Sequence, residues 1–184
     1  EKRKIESILK KIYAADDVSS LIDCVQDIKE IIKAESLTFY ILEQSEALGK
    51  YLKSLVLADA FLSPPDFARY SVPLGADDFA AFVARSGEEL NIASPDGDPR
   101  FSSRYREQLR TPLKNLLAVP IMHDRKVIGV IEAYNKQPKE SALKGFTLED
   151  QRLLKTISEH ISMAMTKLNL IQYDPLTGLL RPEP

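Results

Sequence analysis

The chain has 184 residues, 44% of them hydrophobic, enough apolar mass to bury a core and to exclude a disordered segment. Lysine and arginine number 25 against 27 aspartate and glutamate with no block of like charge, which excludes the basic surface of a nucleic-acid binder or an anionic-membrane binder. Apolar runs fall far short of the ~18 residues of a membrane span, no signal-peptide pattern opens the chain, and the single Cys24 excludes an internal disulfide and points to a reducing, cytoplasmic compartment.

Lys2 to Tyr13 sets Ile5, Ile8, Leu9 and Ile12 on one helical face with lysines opposite, and residues 1–17 form an N-terminal helical extension. Asp16 and Asp17 are N-cap candidates for a second helix, whose apolar set runs from Leu21 to Ile32 and which ends near Ala34. Leu37 to Glu43 and Tyr51 to Ala58 have strand composition and are joined by a polar turn holding Gly49, giving a first hairpin. Residues 59–68 read as loop, followed by a short strand around Tyr70 to Leu74. Asp77 or Asp78 caps a third helix in which Phe79, Phe82 and Val83 share a face, and Gly87 supplies a left-handed stop. Leu90 to Ala93 is a short strand. Ser94 to Lys114 is a long loop of the kind that lines ligand pockets.

The centre of the pattern is Asn115 to Lys136. Two apolar runs, Leu116 to Met122 and Val127 to Tyr134, flank the turn His123-Asp124-Arg125-Lys126. Leu116, Ala118 and Met122 alternate with Leu117, Val119 and Ile121, so neither face is polar and the hairpin is expected to be covered on both sides. Pro120 requires a bulge or a locally unpaired edge, and Gly129 marks a close contact. Thr147-Leu148-Glu149-Asp150 reads as a capping box opening the last helix. There Leu154, Ile157, Ile161, Ala164, Leu168 and Ile171 form a heptad stripe. Leu153, Met163, Met165 and Leu170 lie off that stripe and call for a second contact surface, so a homodimer through the terminal helices is expected.

This hairpin, followed by Phe-Thr-x-Glu-Asp and a long periodic helix and preceded by Asp96-Gly-Asp-Pro-Arg-Phe101, resembles the GAF domain family over about residues 18–171. The resemblance implies an α+β fold: a central antiparallel sheet of about six strands, terminal helices on one face and a ligand pocket on the other. It implies a sensor or dimerising module that is not an enzyme. The pocket falls between the sheet and the segments 77–85 and 94–110. Phe82, Phe101 and Tyr105 are its candidate apolar walls, with Ser94, Asp96 and Arg100 as polar groups and Arg104 beside them. The ligand stays open; a cyclic nucleotide is the first candidate, and an arginine would meet its phosphate.

Asn135, Lys136, Phe146 and Asp150 resemble the N-K-x-F-x-D-E motif of cyclic-nucleotide-binding GAF domains, with Gln151 in place of the final Glu. The residues themselves favour a structural lock, Lys136 leaving a strand to pair with Asp150 in the first turn of the last helix. Asp174-Pro-Leu-Thr-Gly-Leu179 resembles the opening of GGDEF diguanylate cyclase domains, so residues 172–184 read as a linker and the start of such an output domain. The family's usual Asn-Arg is absent after it. A chain running from Glu1 to Pro184 is expected to be a piece of a longer protein. His123 and His160 have no partners at metal spacing, so neither metal nor haem is expected. Cys24, within an amphipathic helix, reads as a buried inert thiol, and neither bilin attachment nor a two-thiol methionine sulfoxide reductase mechanism is expected. The rival to a ligand sensor is a ligand-free dimerisation module of the same fold.

Overall fold

A computed structural model describes residues 2–47, 49–58, 71–95, 98, 100, 112–137 and 145–168, with the side chains of 18 and 56–58 set aside. The elements are α1 (Lys2–Ala14), α2 (Val18–Ile32), β1 (Ala34–Ser45), β2 (Gly49–Ala58), β3 (Ser71–Pro73), α3 (Phe79–Ser86), β4 (Leu90–Ile92), β5 (Leu116–His123), β6 (Lys126–Lys136) and α4 (Leu148–Lys167). The six strands form one antiparallel sheet in the order β3-β2-β1-β6-β5-β4. The fold is therefore α+β with the expected six-stranded sheet. The central hairpin is β5–β6, turned by Asp124 and Arg125, both at positive φ, the geometry whose twist matches the flanking strands.

Side-chain alternation divides the core in two. Leu37, Phe39, Leu117, Val119, Ile121, Ile131 and Ala133 point to the side covered by α1, α2 and α4. Tyr40, Leu42, Leu116, Ala118, Val130 and Tyr134 point to the side covered by α3. Met122 departs from the expected alternation and is exposed, because the β5–β6 register shifts between Ile121 and Met122. Pro120 sits beside that shift and past the last β4 pair at Ala118, where a residue without an N–H is tolerated.

Helix α2 is capped by Asp17, whose carboxylate accepts from Ser20 N at 2.7 Å. It ends at Ile32, short of the expected end near Ala34, because Lys33 adopts a left-handed conformation (φ 56°) that starts β1 at once. β1 is accordingly longer than its apolar run. Thr147 and Asp150 form the capping box at the start of α4.

The helical stripe does not need a second chain for its burial. Leu154, Ile157, Ile161, Ala164 and the off-stripe Met165 are all buried within this chain, and Leu153 and Leu168 pack partly against the same core. The partner helix that the sequence called for is α1, which contacts both α2 and α4 and buries Ile8 and Ile12. The helix at residues 2–14 is thus an integral layer of the core. Met163 remains exposed, and Leu170 and Ile171 lie outside the described residues.

Gly129 lies on β6 opposite Ile121, and a methyl group added there would collide with the Tyr40 carbonyl oxygen and stand 3.1 Å from Ile121 Cδ1. The carbonyl belongs to a paired strand and cannot step aside cheaply. Gly129→Ala is expected to cost about 1–3 kcal/mol, the range for overpacking, measured as a lower urea midpoint at unchanged slope.

Candidate functional site

Two acids are buried on the α3 side of the sheet. Asp78 caps α3, its Oδ1 accepting from Ala81 N at 3.2 Å, while Arg85 near the far end of the helix donates to the carbonyls of Leu74 and Ala76. Glu132 stands on β6 between Thr38 of β1 and Ala118 of β5, its register neighbours. It is wholly buried and Asp78 is 4% exposed. The Tyr134 hydroxyl donates to Glu132 Oε2. Asp78 Oδ2 and Glu132 Oε1, both buried, have no hydrogen-bond partner among the described residues. Native interiors rarely leave such groups unmatched.

Burial pushes the Glu132 carboxyl well above the usual range, and the nearby Asp78 charge adds to this, against hydrogen bonding by Tyr134 and Tyr40. Burial also lifts Asp78, to about 6, against the backbone N–H groups of Ala81 and Ala80 and the charge of Arg85. Both are raised, so the folded chain holds protons that the unfolded chain releases. The contribution is fully present below the unfolded carboxylate pKa of roughly 4 and, for Asp78, is lost as pH rises through about 6. An Asp78→Asn, Glu132→Gln double variant is therefore expected to show a flatter dependence of melting temperature on pH between 4 and 7 than the native chain.

Of the pocket residues expected from sequence, Phe82 and Arg100 are brought together, the guanidinium lying 5.6 Å from the ring centroid. Arg100 also binds Asp98 through Nε and Nη2 at 3.0 and 2.7 Å, so that edge of its fork is occupied by a carboxylate rather than open to a phosphate. Phe82 is half-buried and Phe79 fully buried in the core. Ser94 is exposed. Asp96, Phe101, Arg104 and Tyr105 lie outside the described residues.

At the other end of β6, Lys136, Phe146 and Asp150 come together, while Asn135 makes a separate set of bonds. Lys136 Nζ donates to Asp150 Oδ1 at 2.6 Å and to the Ile32 carbonyl at 2.8 Å, at the negative end of α2, and lies 5.7 Å from the Phe146 ring centroid. Its side chain is 16% exposed and that of Asp150 12%. Asp150 Oδ2 meanwhile accepts from Thr147 N and Oγ1. Asn135, at φ 54°, accepts from Lys114 N at 2.7 Å and donates to the Pro112 carbonyl and Glu35. Gln151 fits its place because its amide donates to Glu89 at 2.7 Å, where a glutamate would face a like charge. Cys24 is buried in α2, its thiol donating to the Ser20 carbonyl and pushed up in pKa by burial, unlike a reactive thiolate.

Sequence reasoning found Asp78 only as a cap and passed over Glu132. The signal was present: a strand covered on both faces cannot carry a glutamate anywhere except in the interior.

Two known proteins are similar to this chain in sequence and one solved structure in fold. The chain is 21% identical over 183 residues to the rod cGMP-specific 3',5'-cyclic phosphodiesterase subunit alpha of Mus musculus, matching 86% of this chain and 20% of that protein. It is 28% identical over 155 residues to the dual 3',5'-cyclic-AMP and -GMP phosphodiesterase 11A of Takifugu rubripes, matching 78% of this chain and 16% of that one. The chain thus spans a fifth or less of the length of these relatives. Its fold also matches the free methionine-R-sulfoxide reductase of Neisseria meningitidis, solved with its substrate, at a TM-score of 0.71 and 15% identity over 92% of this chain and 90% of that one. The GAF domain family model matches residues 20–165, and the chain belongs to that family of generally non-catalytic regulatory and sensor modules of phosphodiesterases and other signalling proteins.

Proposed function

We propose that this chain is a non-catalytic sensor domain that binds a small molecule on the α3 side of its sheet and passes the bound state through α4 to a C-terminal diguanylate cyclase. The observation that carries the coupling is the Lys136 network. One ammonium joins the end of β6 to the end of α2 and the start of α4, and at the other end Ser162 of α4 donates to the Met122 carbonyl of β5 at 2.6 Å. A ligand that shifts β6 therefore acts directly on α4. Support for the output domain comes from the residues after the helix, Asp174 to Leu179, which resemble the opening of GGDEF domains. The sensor unit takes in residues 18–171 with the helix of residues 2–14 packed onto it as an N-terminal extension, and residues 172–184 lead into the output, in a cytoplasmic setting.

A cyclic nucleotide is the first ligand to test, because the matched relatives are named for cyclic-nucleotide phosphodiesterases. Calorimetry with cyclic AMP, cyclic GMP and common metabolites is expected to find one that binds, and Arg100→Ala to weaken an anionic one about tenfold or more. The second reading is a ligand-free module that dimerises through its terminal helices. It draws on Tyr13 of α1 and Met163 of α4, which stay about half exposed at 51% and 49%. Absence of binding to the whole panel, together with a concentration-dependent dimer in sedimentation, would favour it.

A further inference from the structure

Two buried acids with no counter-ion call for an occupant. Neither Asp78 nor Glu132 has a lysine or arginine within ion-pair distance among the described residues, and Arg85, the cation nearest in influence to Asp78, is committed to the Leu74 and Ala76 carbonyls. Each acid holds one oxygen in place, Asp78 Oδ1 by the cap and Glu132 Oε2 by Tyr134, and leaves the other unmatched. Tyr40, Tyr134 and Phe79 belong to the same buried cluster, so the surroundings are aromatic. Thr38 and Ala118 beside Glu132 are small.

We propose that the Asp78–Glu132 pair recognises a planar nitrogen cation, an amidinium or guanidinium group of the ligand, through Asp78 Oδ2 and Glu132 Oε1. A planar cation fits better than an ammonium. It is more weakly hydrated, so burying it costs less, it presents several donors in a fixed plane that two carboxylates can share, and it stacks on aromatic rings. This deepens the sensor reading and rests on it.

Entry of the cation releases to solvent the proton that the pair holds when empty, so binding strengthens as pH rises. The titratable and charged groups facing the pair are Tyr134 and Tyr40 from the sheet and Arg85 from α3.

The test is calorimetry of the whole 184-residue chain with benzamidine, against its neutral isostere benzamide. Benzamidine is expected to bind with release of protons, detected as a buffer-dependent heat, and more tightly at pH 8 than at pH 5. Benzamide is expected to bind far more weakly, and Glu132→Gln and Asp78→Asn each to weaken benzamidine by roughly thirtyfold or more while the chain stays folded. Asparagine retains the cap, so Asp78→Asn serves should Glu132→Gln not fold. Equal binding of benzamidine and benzamide, no binding of benzamidine at millimolar concentration, or undiminished binding by Asp78→Asn would overturn the assignment. A nucleotide or metabolite that still bound when benzamidine did not would leave the sensor reading standing. Failure of every ligand would remove both.

Discussion

Replacing Ile161 with Asp is expected to leave the chain with no cooperative unfolding transition at 25 °C, rather than to separate two folded subunits. Ile161 is 3% exposed and belongs to the core that α4 shares with β5, β6, α1 and α2. Truncation of a buried Ile alone costs about 2–5 kcal/mol. An unpaired carboxylate in the same place adds several more, or forces itself to stay protonated. Together these approach the roughly 5–15 kcal/mol that hold a domain of this kind. Circular dichroism with urea titration checks the outcome, and Ile161→Val, which should lose only about 0.5–1.5 kcal/mol, is the control for packing without charge. A folded, cooperative, monomeric Ile161→Asp protein would place this face at a subunit boundary instead.

Lys136→Met is expected to lower stability by about 2–4 kcal/mol, between the 0–1 of an exposed pair and the 3–5 of a fully buried one. Three losses combine: the ion pair with Asp150, the bond to the Ile32 carbonyl and the cation over Phe146. Asp150 keeps its capping bonds through Oδ2, which limits the damage. Asp150→Asn in the Lys136→Met background is expected to recover part of the loss, since the stranded charge is gone and an amide still accepts from Thr147 N. Urea midpoints for the two single variants and the double variant give the coupling energy directly. An unchanged midpoint in Lys136→Met would mean that the network ties nothing together.

The β5–β6 hairpin was legible because strand period, turn residues and the absence of a polar face all agree over Leu116 to Tyr134. The caps at Asp17, Asp78 and Thr147 were legible for the same local reason, since a cap is written in residues three positions apart. Lys136 and Asp150 were found as a pair only through the family resemblance. The bond from Lys136 to the Ile32 carbonyl, 104 positions earlier, was not visible at all.

Sequence by itself determined the elements, the two-faced sheet and the burial of the α4 stripe. It did not determine what would cover that stripe. A heptad pattern specifies that a face must be buried but carries no information on what covers it, and here the sheet, chiefly β5, covers it together with α1 and α2 of the same chain. Likewise, a lone glutamate in an apolar strand signals cost without naming the neighbour that sets its chemistry. The fold decides that, by bringing the α3 cap Asp78 across 54 positions of sequence to act on Glu132, because the order β1-β6-β5 places β6 beneath α3.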